Sequence, residues 1–241
     1  MLIDGTIMFA RYAFMPNKLG YCGGDDNKAL FDYCAAKHTD PGLVTILQRF
    51  EAAYPYLKLI ASSNHISDPF DAGVVEAYWL GNELLEQVDL TQFYNSLRDQ
   101  FANRLDPKTL GYLLTKPPLG ARPFHNFHVF DVHSRVGMLN HSLDTMENCR
   151  VRWGRVKEIE ATHLVVEHQP LVLECGKLKL GEPRDKRVMR QLNGTGFITN
   201  CHVGDYISFH WDWACDILSL RQVQNLERYT RYHLKLANDT L

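Results

Sequence analysis

Residues 203–236, VGDYISFHWDWACDILSLRQVQNLERYTRYHLKL, decide the fold. Tyr206, Ser208 and His210 alternate with Ile207, Phe209 and Trp211, the period of two that marks a strand. A short connection follows. Ser219 is a good N-cap, and Gln222 three residues later completes a capping box. Val223, Leu226, Thr230, His233 and Ala237 then recur at helical spacing. The reading is a strand that ends in a histidine, inside a β-module closed by a C-terminal helix.

Working back from there, Lys116-Pro117-Pro118-Leu119-Gly120 breaks the pattern and sets a domain boundary, with residues 1–118 on one side and 119–241 on the other. Beyond the break the chain reads as β. Phe124–Val132 is aromatic and β-branched, Arg150–Ile159 pairs with Leu164–Glu167, and Leu171–Leu173 and Leu178–Leu180 flank a hairpin turn. Arg187–Gln191 adds another strand. Several short strands joined by turns suggest a small barrel, because closure removes exposed edges.

Before the break the chain reads as helices with Asx- and Pro-bearing connections. Residues 1–20 end in a loop, and Asp25 or Asp26 caps a helix from Asn27 to about His38. Asp40-Pro41 opens the next, which Pro55 kinks or splits. Asp68-Pro69 and Asp71 start a short helix that Gly81-Asn82 stops, and Thr91 starts another to about Leu105. The fold class is α+β: a helical N-terminal domain followed by a small β-barrel with a C-terminal helix.

Composition narrows the function. The 241 residues carry 45% hydrophobic and 22% charged side chains with a net charge of −2, which gives no electrostatic reason to expect nucleic acid or an anionic membrane as partner. No apolar run approaches the ~20 residues of a membrane helix. The N-terminus has no basic run before its apolar residues, and the six cysteines are scattered without a C-x-x-C. Reduced thiols and a cytoplasmic location are expected.

Two segments carry a resemblance. VGDYISFHWDWACDILS is similar to the end of the small hydrogenase-maturation chaperones, the HypC/HupF family, and Cys149-Arg-Val-Arg-Trp-Gly-Arg-Val-Lys-Glu-Ile159 resembles their beginning. The match spans roughly residues 149–238, with both segments in the family's order. The resemblance implies an OB-like barrel, and it puts Cys149 on the family's essential cysteine and His210 on its histidine. It also implies iron, as an Fe(CN)₂CO fragment, and as partners the maturation factors or the hydrogenase large-subunit precursor. The family's cysteine follows the initiator Met, whereas Cys149 lies deep in the chain. LGYCGGDD, FEAAYPYLKLIA and VVEAYWLGN resemble segments of an uncharacterised bacterial and archaeal family, which brings no activity with it.

Three groups could carry chemistry. A thiolate and an imidazole, from Cys149 and His210, suit iron. Phe124–His133 is dense in histidine, and His125 and His128 form an H-x-x-H step able to chelate a metal. As a strand, however, it would turn His125, Asp131 and His133 to one face and His128 to the other; His141 follows. Cys22 sits between a Gly-bearing loop and a helix start, where amide dipoles lower a thiol pKa, and with His125 or His128 it would have the logic of a catalytic nucleophile and base. The expected function is an accessory or scaffold protein of hydrogenase maturation. The alternative is a cysteine- or metal-dependent enzyme acting on a small molecule. Gly20-x-x-Gly23-Gly24 lacks the lysine and the preceding strand of a nucleotide fingerprint.

Overall fold

A computed structural model describes residues 3–133 and 142–239, without the side chain of His133; His133 as a ligand and His141 therefore lie outside the described residues. The fold is α+β. Helices α1 (Gly5–Lys18), α2 (Asn27–Ala36), α3 (Pro41–Gln48), α4 (Tyr54–Ser63), α5 (Ala72–Trp79), α6 (Leu90–Phe101) and α7 (Pro107–Leu114) precede the barrel. Asp40, Asp71 and Asp106 each accept backbone N–H groups at the helix starts, as capping residues do. Pro55 sits in the first turn of α4, so the pattern that it interrupts is two helices and not a kink.

Helix α1 runs on to Lys18, into the end of residues 1–20 where a loop was expected. Its residues Gly5–Asn17 are all buried, with Asp4 capping Thr6 and Ile7. A helix enclosed on every side needs no polar face and so shows no amphipathic period. Gly5 lets α1 start against the chain before α5, since a Cβ there would strike the Phe70 carbonyl.

Strands β1 (Arg152–Ile159), β2 (His163–His168), β5 (Arg184–Met189), β6 (Tyr206–His210) and β7 (Trp213–Leu218) close into a barrel in the order β1-β2-β5-β7-β6. Neighbours are antiparallel except β5 and β7, which meet in parallel at Met189 and Trp213. This is the five-stranded OB-type arrangement. Val156, Leu164, Val166, Val188, Ile207, Phe209 and Ala214 fill its interior. The hairpin β3 (Leu171–Glu174) and β4 (Lys177–Leu180) forms a separate two-stranded sheet. Strand β7 replaces the short connection expected after His210. It is largely buried, so its residues do not alternate.

Two further segments differ from the sequence reading. His125–Phe127 is a helical turn, α8, that continues as a π-helix over His128–His133, where a strand was expected. The cause is visible at Asn126. Its side chain accepts from the Val151 N–H at 2.8 Å and donates to the Val151 carbonyl at 3.1 Å, doing for β1 what a neighbouring strand would do. Leu143–Cys149 forms α9, capped by Ser142, immediately before β1. The closing helix, α10 (Leu220–Asn238), has the capping box expected of Ser219 and Gln222, and it buries Val223, Leu226, Thr230, His233 and Ala237.

One hydrophobic cluster runs across residue 118. It joins Phe9, Tyr12, Tyr56 and Trp79 of the helices to Val151, Trp213, Leu226 and Tyr229. Polar contacts pin α1 to the barrel: Arg11 pairs with Asp216 at 3.1 Å, and the Tyr12 hydroxyl meets Ser208 at 2.7 Å. Burial of this apolar face against the barrel is what positions the site described next.

Candidate metal centre

His125, Cys149 and His210 come from three different elements, α8, the end of α9 and the end of β6. One donor atom from each lies within 4.8 Å of those of the other two, and all three residues are buried. Cys149 and His210 thus meet, although 61 positions separate them in the chain.

Local structure explains the meeting. β6 and β7 are joined by the two-residue turn Trp211-Asp212, in which both residues have positive φ, 50° and 58°. The Trp211 N–H donates to the Asn148 carbonyl at 3.0 Å, so the turn that follows His210 is tied to the residue that precedes Cys149. Asp212 holds the other side through Arg152 at 2.8 Å and Lys186 at 2.7 Å. Asn126, bonded to Val151 and to Thr230 at 2.8 Å, fixes α8 against the same stretch and so presents His125.

Both imidazoles have their tautomers set by backbone carbonyls. His210 Nδ1–H donates to the Tyr12 carbonyl at 2.7 Å, which puts its lone pair on Nε2. His125 Nε2–H donates to the Cys149 carbonyl at 2.8 Å, which puts its lone pair on Nδ1, where the Tyr78 hydroxyl lies at 3.2 Å. A ring N–H held by a carbonyl is the usual support of a metal-bound histidine. Trp79 packs against both rings, with its centroid 4.5 Å from that of His125 and 5.7 Å from that of His210, and the two imidazoles meet edge to face with centroids 5.1 Å apart.

Burial pushes the Cys149 thiol well above its ordinary range, while Trp211 and Arg152 pull weakly the other way. A cation at the site would remove that penalty, because a metal-bound thiol is deprotonated. The donor set of one soft sulfur and two imidazoles suits zinc or low-valent iron and does not suit magnesium or calcium.

The remaining sequence candidates divide. His128 is not one of the three donors. Its Nδ1 meets the Tyr56 hydroxyl at 3.1 Å, so the H-x-x-H step does not act as one chelate. Cys22 lies five residues before Asn27, the first residue of α2, and burial pushes its thiol up to about 12 instead of lowering it. That direction is opposite to the lowered thiol expected from the loop–helix junction. Tyr21 stacks on Trp211 with centroids 4.1 Å apart, so the Cys22 loop does lie over the site. Sequence reasoning missed Tyr12, Tyr78, Trp79 and Asn126. Of these, only Asn126 left a signal, as a small polar residue inside an aromatic run.

Neither a curated protein nor a solved structure matches the chain. A family model does match, over residues 1–241, and the chain belongs to that family, DUF6390, a family of unknown function.

Proposed function

We propose that this protein is an accessory or scaffold protein of nickel–iron hydrogenase maturation. Its barrel docks a maturation factor or the large-subunit precursor, and Cys149 and His210, with His125 beside them, hold an iron fragment as cargo. The observation that carries the reading is the Cys149–His210 juxtaposition on an OB-type barrel. It is the pairing that the resemblance to the HypC/HupF chaperones implies, reached by a chain whose cysteine is internal. A thiolate and neutral imidazoles are suitable donors for low-spin iron. The chain's own residues supply the rest: carbonyls that fix both histidine tautomers, and burial of all three donor residues away from water.

The alternative is a cysteine- or metal-dependent enzyme acting on a small molecule; in its cysteine form, burial raises the Cys22 thiol to about 12 and His128 is engaged with Tyr56.

The test is anaerobic purification from a host expressing a nickel–iron hydrogenase. Elemental analysis should find iron, infrared spectra should carry cyanide and carbonyl stretches, and a maturation factor or precursor should co-purify. Cys149→Ser should remove the stretches. Iron-free protein that captures none of these partners would overturn the proposal.

A further inference from the structure

A cavity of about 440 Å³ lies between α1, the C-cap of α2, residues 197–200 and β7. That volume is within the range of small-molecule sites. Ile7, Phe197, Ile198 and Ile217 make much of its wall apolar. Set into that wall is one buried guanidinium. Arg11 is 6% exposed, and Asp216 takes only its Nη1 N–H, at 3.1 Å. Its Nε is buried with no acceptor among the described residues. A guanidinium has five N–H donors, and one kept from water without an acceptor is costly. Asp216 is also incompletely used. Its Oδ1 accepts from Arg11 and from the Ile217 N–H at 3.0 Å, whereas its Oδ2 accepts from none of the described residues. Burial raises this carboxyl above its ordinary value even with Arg11 in contact, so a further cation beside it would be favoured. Lys37 and Asp4 add one charge of each sign, and the lining therefore carries two cations, two carboxylates and no net charge.

We infer that this cavity binds a free α-amino acid with an aliphatic side chain, as the zwitterion. The ligand carboxylate lies against Arg11, its ammonium against Asp216, and its side chain on the apolar wall. The match is one of sign, spacing and surface. An isolated anion is repelled by Asp216 and an isolated cation by Arg11, whereas a zwitterion satisfies both. Arg11 and Asp216 are in contact at 3.1 Å, so the two ligand charges must be neighbours as well, which is their arrangement around a single α-carbon. An ω-amino acid, with its charges further apart, would leave one of them unmatched. The isoleucines and Phe197 reward burial of a branched aliphatic chain. None of the three metal donors lines this cavity, so the site stands whether or not they hold iron.

Calorimetric titration of the full chain with L-leucine, isocaproate and isoamylamine tests this directly. Isocaproate is leucine without the ammonium, and isoamylamine is leucine without the carboxylate. Leucine should bind with a stoichiometry of about one, and at least about tenfold more tightly than either half-ligand. Asp216→Asn keeps an acceptor for Arg11 but loses the charge, and it should bring leucine down to the level of isocaproate. Thr199→Trp, at an exposed position of the lining, should block binding and leave the Arg11–Asp216 pair intact, and it serves even if the Asp216 variant does not fold. Either half-ligand binding as tightly as leucine, or unchanged leucine affinity in Asp216→Asn, would overturn the zwitterion. Unchanged affinity in Thr199→Trp would overturn the cavity as the site. No heat from any of the three at about 10 mM would overturn both.

Discussion

His210 donates its Nδ1–H to the carbonyl of Tyr12 at 2.7 Å because proline at position 16 cannot. In an α-helix the Tyr12 carbonyl would receive the N–H of residue 16, and Pro16 has none. A helix defect in the first half of the chain thereby becomes the acceptor that orients an imidazole near its other end. Pro16→Ala restores the competing N–H. Because a carbonyl has two lone pairs, the expected cost in stability is small, within about 1 kcal/mol. Metal affinity, which depends on His210 being held in one tautomer, should fall about tenfold. Competition with a chromogenic chelator measures the second effect and denaturant unfolding the first.

The Trp211-Asp212 turn tests strain against contact. Both residues occupy the left-handed region, which costs non-glycine residues of the order of 1 kcal/mol each. Trp211→Gly relieves that strain but loses the stack on Tyr21, also worth about 1 kcal/mol, so its unfolding midpoint should stay close to wild type. Asp212→Gly gains the same relief but removes the carboxylate facing the buried Arg152, and it should destabilise by about 1–2 kcal/mol. A larger loss for the tryptophan variant would mean that the turn is held chiefly by the aromatic stack.

Helices announced by Asp caps and the closing helix with its Ser219–Gln222 box were legible, because capping is local chemistry written in adjacent residues. The barrel was legible from its short strands. Helix α1 and strand β7 were not, since both are enclosed by other elements and carry no alternation to read. At the site, Cys149 and His210 were visible through resemblance, and His125 through the density of histidine around it. What joins them was not visible. The Asn126 amide that substitutes for a strand, the Tyr12 carbonyl freed by Pro16, and the Trp211–Asn148 link all act between residues distant in sequence.

A buried ion pair lies beneath α10 and the π-helix. Lys116 Nζ is 2.9 Å from Asp131, with both side chains fully enclosed, and it also donates to the Leu236 carbonyl at 2.7 Å. Lys116→Met would leave Asp131 without that cation, at an expected cost of about 3–5 kcal/mol. Adding Asp131→Leu should recover most of the loss, because two apolar groups avoid the desolvation that a buried carboxylate suffers once the lysine beside it is gone. A double-mutant cycle by urea denaturation gives the coupling directly, and additive losses would show that the pair does not act as a unit.

His233 makes stability fall as pH falls. The ring is fully buried. Its Nδ1–H donates to the Tyr229 carbonyl at 2.7 Å, and its Nε2 accepts the Arg122 N–H at 3.1 Å. Protonating Nε2 would set two donors face to face, and burial already holds the group down to about 4 from an ordinary 6.5. Above pH 6.5 the imidazole is neutral folded and unfolded, and it contributes no slope. Between about 6.5 and 4 the unfolded chain takes up a proton that the folded chain refuses, so stability falls as pH falls. The full shift amounts to about 3 kcal/mol. His168, also held down to about 4 by burial, adds a loss of the same sign over the same interval. Urea midpoints measured from pH 7.5 to 4.5 should drop for the wild type. They should drop less for His233→Gln, which keeps an acceptor for Arg122 and cannot titrate. Parallel curves for the two proteins would show that this imidazole does not couple to folding.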